Sequence, residues 1–170
     1  VRLTSEQDRQ YGAWNRMALA NANFAAIVRE GLQDNLITVG LEANCNDLLG
    51  MLAGLKYDSD GNTRRVGLVF CDSHGDFNLP ETTLSGMLGG MPVAVAAGHA
   101  LHNLRRTTGL AEPLPMSDIM WGGVRPGSAG GRSISRGRGA PGGGAGEQRR
   151  GGKGKEGGEK GEGRKGGAER

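Results

Sequence analysis

Between Thr4 and Leu32 the apolar positions Tyr11, Trp14, Met17, Phe24, Ile27 and Val28 recur at three- and four-residue steps, with Asn21 as the polar member of the series. That spacing marks one face of a helix, so a single long helix is expected over residues 4–32. Thr4 and Gln7 stand at capping-box spacing, and Gly31 stands where a helix can stop. Leu36 to Gly40 is a short β-branched run that predicts a buried strand, and a short helix is expected from Asn46 to Leu55. After the polar turn Tyr57 to Asn62, the run Val66 to Cys71 is the clearest strand. It is apolar at alternate and intervening positions, as in a parallel sheet covered by helices. Met91 to Arg105 predicts a third helix with Pro92 in its first turn, and Ile119 to Val124 a last strand. Helix and strand alternate, so an α/β layered sheet is expected.

Composition changes this picture at one end. Of the 33 glycines in the 170 residues, 18 lie between Arg125 and Arg170, with 12 Lys+Arg, 5 Asp+Glu and Ile134 as the one large apolar side chain. The net charge of +3 is thus a body of −4 carrying a tail of +7. Such a tail buries too little apolar surface to offset its ordering entropy. Residues 1–124 are read as a partial α/β domain and residues 125–170 as a disordered Gly/Arg/Lys-rich tail. Arg136-Gly-Arg-Gly139 and Arg149-Arg-Gly-Gly152 resemble RGG segments that attract phosphate. The tail holds no aromatic residue to stack on bases, and Glu147, Glu156, Glu159 and Glu162 dilute its charge, so only weak nucleic-acid binding is expected of it. No stretch approaches the roughly 20 apolar residues of a membrane helix, and no membrane partner is expected. Cys45 and Cys71 make no disulfide framework, which points to a cytoplasmic setting.

The chemistry gathers after the clearest strand, at Asp72-Ser-His-Gly-Asp-Phe-Asn78. In α/β sheets ligands collect beyond the carboxyl ends of strands. If Asp72 continues the strand, then Asp72, His74 and Asp76 share one face. Two carboxylates and an imidazole suit a hard or borderline cation, Mn²⁺ first and then Mg²⁺ or Zn²⁺. Such an ion lowers the pKa of bound water and makes a hydroxide nucleophile. The alternative is an exposed acidic turn with an incidental histidine.

The longer stretch from Cys71 to Pro92, with Asp-Ser-His-Gly-Asp, Asn78, Pro-Glu-Thr-Thr, Ser85-Gly and Gly90-Met-Pro92, resembles the signature of the arginase/agmatinase (ureohydrolase) family. Glu42 to Gly50 is similar to a divergent form of that family's upstream Gly-Gly-Asp-His segment, and Trp121-Gly-Gly-Val-Arg125 is similar to a family strand ending in Gly-x-Arg. The resemblance covers roughly residues 36–125. It implies a three-layer α/β/α fold with a mostly parallel sheet, here incomplete, and a binuclear Mn²⁺ centre. It also implies hydrolysis of a guanidino or amidino C–N bond by a metal-bound hydroxide, on a small substrate and in a homo-oligomer. Asp72 would bridge two metals, His74 and Asp76 would each bind one, and Asp72 and His74 would act through the metal-bound water. Asn78 and Ser85 would contact substrate.

The chain departs from the family pattern in three places. Cys45 stands where the family has a histidine ligand. A thiolate there would bias the site toward Zn²⁺; the preferred reading is a small buried cysteine and a lost ligand. Gly89 replaces the histidine that assists proton transfer in arginases, and the nearby His99 and His102 read as ordinary helix residues. No Ser-x-Asp-x-Asp-x-x-Asp-Pro strand follows Val124, and Asp118 is the last aspartate. The change at Arg125-Pro-Gly is read as a shifted reading frame or gene-model error that truncates the domain, which the nucleotide sequence in the other frames tests. About half the metal ligands are expected to remain, so at most one weakly held cation, impaired turnover and a poorly stable monomer with exposed sheet edges follow. The alternative function is a non-catalytic relic or interaction module.

Overall fold

The structure is a computed structural model that describes residues 1–125; the tail readings from Pro126 onward lie outside the described residues. The chain opens with the expected capping box. The Thr4 hydroxyl accepts from the Gln7 N–H and the Gln7 side chain accepts from the Thr4 N–H, at 3.2 and 2.9 Å. The helix it caps is a single turn, α1 (Ser5–Asp8), and the long helix α2 starts at Ala13 and runs to Gln33. The expected continuous helix therefore breaks at Gly12, whose φ of +93° is open to glycine and foreign to a helix. Tyr11, counted on the helical face, is fully exposed beside the break.

The buried stripe of α2 is Ala18, Asn21, Ala25 and Val28, narrower than the expected aromatic face, with Trp14 and Ile27 exposed. Small residues there let the next helix approach closely. The helix is closed by Asn35, beyond its last residue Gln33, rather than at Gly31. Asn35 is left-handed (φ +56°) and its N–H donates to Leu32 O, while the Leu36 N–H donates to Gly31 O at 2.8 Å. These are the two bonds of a Schellman motif, with asparagine as the left-handed residue.

Residues 36–40 form no strand. They have no partner strand among the described residues, and Leu36, Ile37, Val39 and Leu41 are exposed. A 3₁₀ turn, Cys45–Asp47, leads into α3 (Leu48–Lys56), close to the expected helix. Helices α2 and α3 touch nearly backbone to backbone. A Cβ on Gly54 would lie 2.5 Å from Val28 Cβ, and one on Gly50 would lie 2.6 Å from Asn21 O. The buried Asn21 Oδ1 accepts from the Gly50 N–H at 2.7 Å, satisfying a donor of the first helical turn that has no partner within its own helix.

Strands β1 (Leu68–Cys71) and β2 (Ile119–Gly122) pair in parallel, Leu68 opposite Ile119 and Cys71 opposite Gly122. The crossover between them holds α4 (Pro92–Ala96), buried at all five positions, and α5 (His102–Thr107). Pro92 opens α4 as expected, but the helix expected over 91–105 is two. Gly98 (φ +80°) turns the chain where a Cβ would lie 2.8 Å from Pro113, and Leu101 (φ +48°) is also left-handed. One face of the strand pair joins the core of Leu49, Leu52, Ala53, Phe77, Met91, Leu110, Leu114 and Ile119. Val69 and Met120 on the other face are 65% and 52% exposed, so β1 is covered on one side, where burial on both was expected. The fold is an incomplete α/β arrangement around a parallel strand pair.

Candidate metal centre

The end of β1 brings the sequence-predicted residues to the edge of this core. Asp72 follows the strand, and its N–H still pairs with Gly122 O at 3.1 Å. The backbone then bends. Asp72 Oδ1 accepts from the His74 N–H at 2.8 Å and the Ser73 hydroxyl at 3.3 Å, an Asx-type turn. Asp76 takes a left-handed φ of +44°, a conformation that aspartate tolerates better than most residues. Its carbonyl accepts from the N–H groups of Val93 and Ala94, at 3.1 and 3.4 Å, tying the loop to the start of α4. The Trp121 indole N–H donates to Gly75 O at 3.0 Å, and Phe77 packs edge-on between His99 and Trp121. Alternation along a strand predicted one shared face; a turn clamped by β2 and α4 is what sets the side chains.

Asp72 and Asp76 do come together, and the third member of their group is Cys45. One donor atom from each of Cys45, Asp72 and Asp76 lies within 4.8 Å of the other two. His74 is outside this group. Its Nδ1 sits 3.4 Å from Asp72 Oδ1 and 3.2 Å from Ser73 Oγ, and its side chain is 67% exposed. Cys45 is not buried, which corrects the reading of it as a small core residue. It rides on the 3₁₀ turn fixed by Asn44, whose Oδ1 accepts from the Asn46 N–H at 3.0 Å. Asp76 is 6% exposed, and its Oδ2 is buried with no hydrogen-bond partner.

Burial pushes the Asp76 carboxyl above the ordinary aspartate range, and the Asp72 charge adds to the rise. Burial, then the charges of Asp76 and Asp72, pushes the Cys45 thiol up. Asp72 itself is held low, chiefly by the His74 N–H. A desolvated carboxylate beside a second carboxylate is a costly arrangement that a cation would relieve. The unpartnered Asp76 oxygen and the convergent donors therefore fit a divalent ion.

Asn78 is half-buried, with its N–H on Gly90 O at 3.0 Å and a buried Oδ1 that has no partner. Ser85 is exposed, and its Oγ accepts from the Met87 N–H at 3.2 Å within a local turn. His99 lies between α4 and α5 and His102 begins α5; neither joins the donor group among the described residues. Gly89 faces the Cys45 segment, since a Cβ there would stand 3.4 Å from Asn44 Oδ1. Sequence reasoning missed the Trp121 clamp on Gly75. Its signal was a tryptophan in a strand otherwise of small and aliphatic residues.

No family model matches the chain. Curated relatives do: it is 28% identical over 138 residues to an arginase of Bacillus caldovelox, covering 81% of this chain and 45% of that protein. It is 31% identical over 111 residues to an arginase of Entamoeba histolytica, covering 65% and 36%. Among solved structures, the native B. caldovelox arginase superposes with a TM-score of 0.63 at 29% identity over 80% of this chain and 44% of that one. A Bacillus subtilis arginase gives 0.64 at 26% identity, over 80% and 45%. The chain thus spans less than half the length of these relatives. Sequence and fold agree in their likeness to arginases across the described core, and together they support membership of the arginase family.

Proposed function

We propose that Asp72 and Asp76 hold a divalent cation, and that the chain derives from a ureohydrolase acting on the C–N bond of a small guanidino or amidino compound. The observation that carries this reading is the buried, unpartnered Oδ2 of Asp76 in a group whose donor atoms all lie within 4.8 Å of one another. Family resemblance supplies the substrate class, Mn²⁺ as the expected metal and the homo-oligomer, and the cysteine usage supplies the cytoplasmic setting.

A divalent ion held there supplies a Lewis acid that polarises the scissile carbon's substituents and acidifies water. The chain's own residues do the rest. Asp72 is pre-oriented by the His74 N–H and the Ser73 hydroxyl, so its carboxylate needs little reordering to bind. Asp76 is locked by its carbonyl bonds to α4. The exposed His74 ring, whose Nδ1 lies 3.4 Å from Asp72 Oδ1, would reach the same ion by a change of rotamer of the kind exposed side chains make. Asn78 Oδ1 is a buried acceptor suited to the N–H groups of a guanidino substrate. Three donors among the described residues make a site for one ion, and the 170 residues alone are proposed to turn over slowly.

Metal analysis of the purified chain after dialysis against Mn²⁺ or Zn²⁺ tests this, with urea release assayed on arginine and agmatine. One ion per chain, lost in Asp76→Asn, with slow urea release is expected. A chain that holds no ion would overturn the reading, and two firmly held ions with rapid turnover would overturn its single-ion form.

A further inference from the structure

We propose that Cys45 contributes a thiolate to this site and makes it selective for zinc over manganese. The inference rests on the preceding reading that Asp72 and Asp76 hold a cation, and adds the identity of the third ligand and the metal. Three observations carry it. The Cys45 sulfur lies within 4.8 Å of a carboxylate oxygen of each aspartate. Asp76, in the same group, is buried with an unpartnered oxygen. Cys45 is accessible, so an entering ion reaches the sulfur, and the turn that carries it is fixed at both ends. Asn44 accepts there from the N–H and the Nδ2 of Asn46, at 3.0 and 2.7 Å, and Asp47 leads directly into α3.

One sulfur and two oxygens suit a borderline-soft ion. Thiolate ligands favour Zn²⁺ and Co²⁺, while Mn²⁺ is served better by carboxylate and water. On binding, the thiol S–H proton leaves to solvent and a sulfur–metal bond forms; no electron transfer is involved.

The test uses the full chain with Cys71→Ser, which removes the other exposed thiol. Loaded with Co²⁺, this protein should show a thiolate-to-cobalt charge-transfer band in the near ultraviolet, and adding Cys45→Ser should abolish it. Zn²⁺ affinity should fall by at least roughly 10- to 100-fold in the Cys45→Ser protein, the loss that even an outer-shell partner causes, while Mn²⁺ affinity stays within about threefold. Cys45→His should bind metal without the band, which separates loss of sulfur from loss of fold. A band that survives Cys45→Ser, or Zn²⁺ affinity unchanged by it while Asp76→Asn still abolishes binding, would overturn the cysteine inference and leave the aspartate site standing. Absence of binding by any of these ions would overturn both.

Discussion

The indole Nε1–H of Trp121 donates to the carbonyl of Gly75 at 3.0 Å, so β2 holds the loop on which Asp72 and Asp76 stand. A neutral hydrogen bond of this kind contributes on the order of 1 kcal/mol, but its placement matters more than its strength. Trp121→Phe keeps an aromatic ring against Phe77 and releases the loop. Metal affinity, read by competition with a fluorescent chelator, should drop about tenfold with a small loss of stability. A loss of stability with unchanged affinity would show that the clamp does not position the ligands.

Asp76 is buried with one oxygen unpartnered, which costs the metal-free fold about 1–3 kcal/mol. Asp76→Asn removes the buried charge beside Asp72 and should raise the unfolding midpoint of metal-free protein, while abolishing the further stabilisation that added ion gives the unmodified chain. Thermal melts with and without Zn²⁺ check both signs.

The α2–α3 contact leaves no room at Gly54, where an added Cβ would meet Val28 Cβ at 2.5 Å and Ala25 O at 2.7 Å. Gly54→Ala should destabilise by about 1–3 kcal/mol. Asn21→Leu strands the buried Gly50 N–H and should cost a similar amount, about 1–3 kcal/mol. Denaturant midpoints measure both.

Arg65 grips Asp118 through two bonds, Nη2 to Oδ1 at 3.0 Å and Nε to Oδ2 at 3.3 Å, pinning the approaches to β1 and β2 together. The Arg65 hydrogen bonds hold the Asp118 carboxyl below its ordinary range. Stability from this pair is thus fully present above the ordinary carboxylate pKa of about 3.9 and is lost as pH falls through the lowered value. The pair is solvent-screened, so the effect is modest. Asp118→Asn should flatten the acid limb of the stability profile and leave neutral stability nearly unchanged; a large loss near pH 7 would contradict this.

Local signals in the sequence were legible where local forces decide. The Thr4–Gln7 capping box, Pro92 at the start of α4 and the apolar cores of β1 and β2 stand where their residue types place them. Periodicity ran too far where single backbone positions decide. Gly12, Gly98 and Leu101 break helices that the apolar pattern would continue. Residues 36–40 have strand composition, yet a strand exists only with a neighbour to pair with, and composition cannot supply one. At the site, the Asp-x-His-x-Asp spacing marked the right loop. It could not show that a left-handed Asp76 swings its carboxylate toward Cys45 while His74 stays outside, because that depends on the clamps from α4 and Trp121.

The central claim is that Asp72, Asp76 and Cys45 form one cation site. Equilibrium dialysis of the 170-residue chain against Zn²⁺, beside an Asp72→Asn/Asp76→Asn double variant, tests it most directly. One zinc per chain in the first and none in the second is the expected result; equal zinc content in both would contradict it.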